Sequence, residues 1–161
     1  MTSIDILIRL VAAAMAGGLI GIDREARGKP AGLRTLALVG VGAALVTVVA
    51  IDLATTAGQT NMDAVSRAIQ GILAGVGFLG GGAILKGRDG DEVRGLTTAA
   101  SIWIVAAVGI ACGGGLWVAA IAALTISLLI LVFGGPVEGF IHRRFPPRPR
   151  RNPGDASSAR Q

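Results

Sequence analysis

Five long apolar runs, separated by short polar segments, restrict the fold of this chain more than any other feature of its sequence. The runs cover residues 4–22, 35–53, 68–85, 96–112 and 116–133, so each has 17 to 19 residues. That length is near the minimum for a helix that crosses a hydrocarbon core. Because a bilayer offers no water to the backbone, a crossing segment must satisfy its own hydrogen bonds as helix. The sequence therefore predicts an all-α integral membrane protein with about five transmembrane helices.

The composition of the chain fits this class and argues against others. Apolar residues make up 52% of the chain and charged residues only 16%, which is less charge than the surface of a soluble domain needs. Aromatic side chains for stacking on bases are scarce, so nucleic acid is not expected as a partner. The single cysteine, Cys112, excludes an internal disulfide. The fourth run is the weakest, and four spans with a re-entrant segment is the main alternative.

The positions of lysine and arginine predict the orientation of the helices. Basic residues fill alternate connecting segments: Arg24, Arg27, Lys29 and Arg34; then Lys86, Arg88 and Arg94; then Arg143, Arg144, Arg148, Arg150, Arg151 and Arg160. Only Arg9 and Arg67 fall outside this pattern. The sequence therefore predicts that the N-terminus lies outside and that the C-terminus lies in the cytoplasm.

The domain organisation follows from the same pattern. Residues 1–134 are predicted to form one transmembrane domain, and no basic segment precedes the first run as it would in a cleavable signal peptide. Within residues 135–161, the stretch 136–145 is predicted to lie at the membrane interface as a short amphipathic segment. The remaining tail is rich in arginine and proline and cannot bury a core, so it is predicted to be disordered.

Glycines recur at a spacing that is typical of close helix packing in lipid. Residues 75–80 read GVGFLG and match the dinucleotide fingerprint, but they lie inside an apolar run without the strand and the acidic residue that this motif needs. A spacing of four between small residues lets two helix backbones approach. Whether these contacts lie within one chain or between two stays open. The predicted helix-packing residues are Gly17, Gly21, Gly71, Gly75, Gly77 and Gly81.

A few charged side chains lie at or near membrane depth. Asp5 and Arg9 are four residues apart and can pair on one helix face, and Asp63 and Arg67 repeat the spacing. Such charges mark functional residues when they are buried in lipid, but near a helix end a long side chain reaches the interface and serves as an anchor. Both interpretations stay open. As metal ligands, Asp52 and Asp63 are weak candidates, because Mg²⁺ needs several oxygen ligands together.

The residues do not predict an enzyme. The one histidine, His142, stands beside two arginines, and the sequence shows no pairing of a nucleophile with a base. Ser101, Thr97 and Thr98 are better explained as residues that cap or pack a helix. The sequence accordingly predicts neither catalytic residues nor a cofactor.

Three blocks of the sequence resemble the MgtC/SapB group of bacterial membrane proteins. The first is GGLIGIDRE at residues 17–25, followed by AGLRTLALVGVGAAL at 31–45. The second is RAIQGILAGVGFLGGGAIL at residues 67–85. The third is RGLTTAASIW at residues 94–103, with AAVGIACGGG after it. The blocks follow the family's order and cover most of residues 17–115.

The resemblance implies a multi-pass protein of the bacterial cytoplasmic (inner) membrane that serves adaptation to low magnesium and, in pathogens, survival within host cells. Members resemble regulators of other membrane complexes, including the ATP synthase, more than proven Mg²⁺ carriers. Many members continue into a soluble domain, so this chain is expected to be a short form. Asp23 stands where the family more often has Glu. The polar family positions are Asp23, Arg24, Glu25, Arg34, Arg67, Gln70, Arg94, Thr97 and Thr98.

Three hypotheses about function follow. The first is a regulator that contacts another membrane complex, with the glycine-rich third helix as its contact surface. The second is a Mg²⁺ transporter or channel, in which either Asp52, Asp63 and Gln70 or the buried charges of the first helix would converge on a water-filled path. The third is a purely structural homo-oligomer. Membrane lipids surround the protein in each case.

The predicted orientation has a direct test. A reporter enzyme fused after Arg151 should report a location in the cytoplasm, because the three basic segments are expected to stay on that side of the membrane. Periplasmic activity of the same fusion would show that the number of spans or their direction is wrong.

Overall fold

Five helices joined by short connections make up nearly all of the described chain. The computed structural model describes residues 1–56, 59–86 and 93–144. The helices are α1 (Ser3–Ala26), α2 (Leu33–Ala54), α3 (Met62–Ala83), α4 (Leu96–Gly113) and α5 (Trp117–Arg144). All five are long and apolar enough to cross a membrane, which confirms the predicted fold class.

Two short antiparallel ribbons form the connections on either side of α3. In the first, β1 (Thr55–Thr56) pairs with β2 (Gln59–Thr60), and in the second, β3 (Leu85–Lys86) pairs with β4 (Val93–Arg94). Because all connections are short, consecutive helices run in opposite directions. One end of the bundle therefore holds the end of α1 and the starts of α2 and α4. We call it the basic end, since Arg24, Arg27, Lys29, Arg34 and Arg94 lie there.

The helices begin earlier or end later than the apolar runs that predict them. At the start of α3, the Asn61 side chain accepts hydrogen bonds from the backbone N–H groups of Asp63 and Ala64, at 3.1 and 3.2 Å. Thr2 caps α1 in the same way by accepting from the N–H of Asp5. Capping residues and the first helical turn are polar, so a search for apolar runs leaves them out.

The last helix continues past the apolar run that ends at residue 133, and it includes most of the stretch 136–145, for which an interfacial location is predicted. Pro136 lies inside α5, which continues as one helix to Arg144. Proline removes one backbone hydrogen bond and crowds the carbonyl four residues before it. Gly134 and Gly135 directly precede the proline. The predicted disordered tail at residues 145–161 lies outside the described residues.

The weakest of the five apolar runs forms the central helix. α4 packs against each of the other four helices, and half of its membrane-length segment is buried within the protein. A continuous helix of 18 residues that packs against the four others favours a full span over the re-entrant alternative. Thr98 and Ser101 on α4 are buried against protein, with exposures of 2% and 3%. The run contains small and polar residues because it faces other helices, whereas peripheral helices need large apolar residues toward lipid.

Glycines bring the backbones of α1, α2 and α4 into direct contact. A Cβ added to Gly40 would lie 2.7 Å from the carbonyl oxygen of Ala13, and one added to Gly109 would lie 2.5 Å from that of Gly40. Both distances are too short for any side chain atom. Gly17 and Gly21, which were singled out by their spacing, lie in the same way against the start of α2.

This contact predicts a position-specific effect of adding a methyl group. We expect Gly109→Ala to lower the free energy of unfolding by about 1–3 kcal/mol, because the helices must shift to admit the new atom. Gly42→Ala is the matched control, since no atom of the described chain lies within 4 Å of a Cβ at that site. Denaturant unfolding of the purified protein in detergent measures both. Equal stability of the two variants would contradict the packing described above.

Candidate functional site

The polar family positions lie in two separate places. Arg67 and Gln70 lie near the start of α3, at the end of the bundle opposite the basic end. The other positions gather where α1 ends and where α2 and α4 begin. They are Asp23, Arg24, Glu25, Arg34, Arg94, Thr97 and Thr98.

Arg24 is the most deeply buried charge in the described chain. Its side chain reaches from the last turn of α1 to the first turn of α4 and donates from Nη2 to Oγ1 of Thr98. The residue is only 3% exposed, and its Nε is buried without an acceptor among the described residues. A positive charge near the C-terminal end of α1 interacts favourably with the helix dipole. Thr98 is therefore the side chain that holds a buried guanidinium between two helices.

The two acids beside Arg24 accept hydrogen bonds at the end of α1 and at the start of α2. Asp23 accepts a hydrogen bond from Nε of Arg27 at 2.9 Å, while its second oxygen is buried without a donor in the described chain. Glu25 accepts from the backbone N–H of Leu33 at 3.1 Å. Because Gly32 at the N-cap of α2 has no side chain to cap with, Glu25 supplies the missing acceptor from α1.

The start of α4 depends on a glycine. Gly95 precedes the helix with a φ of 92°, in the left-handed region that few other residues adopt. A Cβ at this position would collide with the carbonyl oxygen of Ala83 at the end of α3. Thr97 follows with an exposed side chain, and its carbonyl accepts a hydrogen bond from Ser101 at 2.7 Å. The threonines thus differ, since only Thr98 faces the interior.

The remaining two positions at this end are less enclosed. Arg34 is exposed in the first turn of α2. Arg94 is also exposed, and it pairs with Leu85 in the second ribbon. At the basic end, the hydrogen bonds described above therefore connect the end of α1 to the starts of α2 and α4.

Arg9, which departs from the charge pattern, is explained by two contacts. Its Nε lies 3.1 Å from Oδ2 of Asp5, so the ion pair expected from their spacing is confirmed. Its Nη1 donates to the carbonyl oxygen of Gly113 at 2.6 Å. The last carbonyls of a helix lack partners, and the dipole there is negative. Sequence reasoning missed the second contact, because nothing in the spacing of Arg9 points to a helix end about a hundred residues away.

The structure gives no support to a metal centre within the described chain. No three His, Cys, Asp or Glu side chains among those residues are placed to hold an ion. Asp52 and Asp63, the weak candidates, are exposed near the ends of α2 and α3 that meet at the first ribbon. A shallow depression between these helix ends has no carboxylate in its lining, which consists of Leu53, Ala54, Gln59, Thr60, Asn61 and Ala64.

The predicted packing glycines of α3 have no other part of the described chain packed on the side where a side chain would project. No atom there lies within 4 Å of a Cβ placed on Gly71, Gly75, Gly77 or Gly81. Gln70, also exposed, donates only to Oγ of Ser66 on its own helix, at 3.3 Å. These residues therefore form a face of α3 that no described part of the chain covers.

Comparison with known proteins gives one consistent result. The sequence matches the profile of the MgtC family over residues 10–140. It is 44% identical over 129 residues to Protein SrpB of Synechococcus elongatus, an alignment that covers 76% of this chain and 71% of SrpB. It is 42% identical over 122 residues to Protein MgtC of Salmonella typhimurium, which covers 76% of this chain and 49% of that protein.

A third relative has a name that states a function. The chain is 41% identical over 131 residues to the "Putative magnesium transporter YhiD" of Escherichia coli, with 79% of this chain and 59% of YhiD aligned. The chain thus spans about half to two thirds of the length of several relatives that it matches. No solved structure matches the chain.

The contact between Arg24 and Thr98 predicts a difference between two neighbouring threonines. Thr98→Val keeps the shape but leaves the buried guanidinium without this acceptor, so we expect a loss of about 1.5–3 kcal/mol in the free energy of unfolding. Thr97→Val is the control, because that side chain is exposed, and it should change stability little. Denaturant unfolding in detergent compares them. A similar stability of both variants would show that the contact is not important for folding.

Proposed function

Because this chain belongs to the MgtC family of membrane proteins, we propose that it is a small regulatory protein of the bacterial cytoplasmic (inner) membrane, linked to adaptation to low magnesium. It acts through contact with other membrane complexes and carries out no catalytic reaction. Family resemblance suggests the ATP synthase as one such complex. The match to Protein MgtC supports the proposed link to magnesium. The proposal that the protein acts by contact is instead based on which side chains are buried in the interior of the bundle.

The single observation that carries this proposal is that the buried polar side chains of the described residues form hydrogen bonds within the bundle and include no carboxylate residue. Among the described residues they are Arg24, Thr47, Thr98 and Ser101, and none is a carboxylate. Thr47 and Ser101 donate to carbonyl oxygens one turn earlier on their own helices, at 2.8 and 2.7 Å. Arg24 and Thr98 bond to each other. Thr47, Thr98 and Ser101 are therefore each engaged in holding the fold, as is Nη2 of Arg24, while Nε of Arg24 has no acceptor among the described residues.

An ion path would need different chemistry. Mg²⁺ takes oxygen ligands in near-octahedral geometry and gives up its water reluctantly, so a pathway for it is lined by carboxylates, carbonyls and water. The described core is instead built from small apolar residues that pack backbone against backbone. Ala106, Ala44 and Ile20 in this core are fully buried, each with 0% exposure. A closed apolar interior favours a protein that acts by contact over one that conducts.

The second candidate function is Mg²⁺ transport. The provisional name of YhiD, a magnesium transporter, favours it, and so do the exposed carboxylates of Asp52 and Asp63 on one side of the bundle. In this case the path would run along the surface of the bundle or between copies, where those acids meet water.

Flux measurements separate the two candidates. We expect purified protein in proteoliposomes to move no more Mg²⁺ than empty liposomes, because the buried side chains of the described core include no carboxylate residue that could replace the ion's water. The Asp52→Ala/Asp63→Ala double variant serves as the control for specific transport. Flux that the double variant loses would replace the regulatory proposal with transport.

A second measurement tests regulation itself. ATP-driven proton pumping is recorded in inverted membrane vesicles from cells that make the protein and from cells that lack it, grown at low magnesium. We expect the two rates to differ while the amount of ATP synthase stays the same, since contact changes the activity of a complex and not its quantity. Identical rates would refute the ATP synthase as the regulated complex.

A further inference from the structure

One exposed face of α3 carries residues at alternating spacings of four and three. An average spacing of 3.5 residues is the pattern of a seam along which two helices pack. From its first to its last residue the pattern covers about 27 Å of helix at 1.5 Å per residue, close to the thickness of a hydrocarbon core. We call this set the α3 seam. Its members, all exposed, are Asp63, Arg67, Gln70, Ala74, Gly77 and Gly81.

The α3 seam differs from the faces that the other peripheral helices turn outward. Exposed positions on α1 include Leu7 and Met15, at 60% and 63%, and those on α5 include Ile121 and Ile130, at 64% and 65%. Large apolar side chains of this kind suit contact with lipid tails. The α3 seam has none of them, and it places an acid, a base and an amide on the first turns of a membrane helix, where lipid tails offer them no hydrogen bonds.

The shape of this face is also suited to a second helix. Phe78 stands beside the α3 seam with 84% of its surface exposed. The positions one turn before and after it on the same face are Ala74, Gly75, Gly81 and Gly82, so the ring rises from a flat surface of small residues. A second copy of α3 would present the same flat surface to this ring, and small residues let the two backbones approach.

The charges on the α3 seam match those of an identical seam. Asp63 and Arg67 lie one turn apart and form no ion pair within the described chain, where the ion pairs are those of Arg9 with Asp5 and Arg27 with Asp23. A two-fold axis along the membrane normal would set each residue level with its own counterpart, and Arg67 of each copy would then lie one turn from Asp63 of the other, within reach of its long side chain. It would also set Gln70 beside its own counterpart, where two amides can exchange hydrogen bonds.

We propose that the α3 seam binds the same seam of a second copy, so that the protein forms a parallel dimer in the membrane. A single face that supplies an acid, a base, an amide and a row of small residues is complementary to itself under a two-fold rotation. This inference goes beyond the proposed function, because a dimer forms whether the protein regulates or transports. It leaves the outer faces of α1, α2 and α5 for contact with other complexes.

Disulfide cross-linking in native membranes tests the contact. In a background with Cys112→Ala, the Ala74→Cys variant places a thiol on the α3 seam, and Ile130→Cys places one at a comparable distance along α5. On oxidation we expect at least about tenfold more cross-linked dimer from the first variant, because contact raises the effective concentration of the thiols. Equal cross-linking of the two, or an adduct with the mass of a different protein at position 74, would overturn the proposal.

Charge reversal tests the predicted register. Arg67→Asp places only acids at this end of the interface, so we expect about tenfold weaker association, measured by energy transfer between labelled copies in liposomes. The Asp63→Arg/Arg67→Asp double variant exchanges the charges and should restore association. Thermal unfolding of each variant in detergent confirms that the bundle is intact. Failure of the double variant to recover would refute the reciprocal ion pairs, and neither measurement depends on magnesium flux or on proton pumping.

Discussion

The contact of the α2 backbone with α1 and α4, made possible by glycine, is the constraint on which the rest of the structure depends. Gly40 meets Ala13 on one side and Gly109 on the other, and each approach is closer than a side chain would allow. In lipid the hydrophobic effect does not drive helices together, so the fit of one backbone against another has to supply much of the attraction. With these three helices fixed, α3 and α5 can pack from outside, and their outward faces are free to serve other contacts.

Polar side chains link the same three helices to one another at their ends. Arg24 joins α1 to α4 at the basic end, and Arg9 joins the same two helices at the opposite end. At the basic end, Glu25 also links α1 to the start of α2. Helix ends leave backbone groups without partners, and a long charged side chain from a neighbouring helix satisfies them. Charges that are unusual within a membrane protein thus hold this bundle together.

The sequence predicts the number of helices because length and apolarity are enough to identify a crossing segment. It predicts their ends less well, since capping residues such as Asn61 are polar and Pro136 normally stops a helix. The spacing of glycines identified Gly17 and Gly21, yet it gave equal weight to Gly75, where an added Cβ would meet no other described part of the chain within 4 Å, and it passed over Gly40. Spacing shows that two helices can approach but not which pair does. The partners of Arg24 and Arg9 are distant in sequence, so only the fold brings them together.

The length of α5 has a mechanical consequence. Its 28 residues extend about 42 Å, which exceeds a hydrocarbon core of about 30 Å. Pro136 lies about 30 Å from Trp117 along the axis, so when the first turn sits at one surface of the bilayer, the proline sits near the other. The carbonyl that proline leaves unpaired is then within reach of water. Without that hydrogen bond the helix bends more easily at this depth than elsewhere along α5, so the direction of its last two turns is less tightly tied to the tilt of the embedded part.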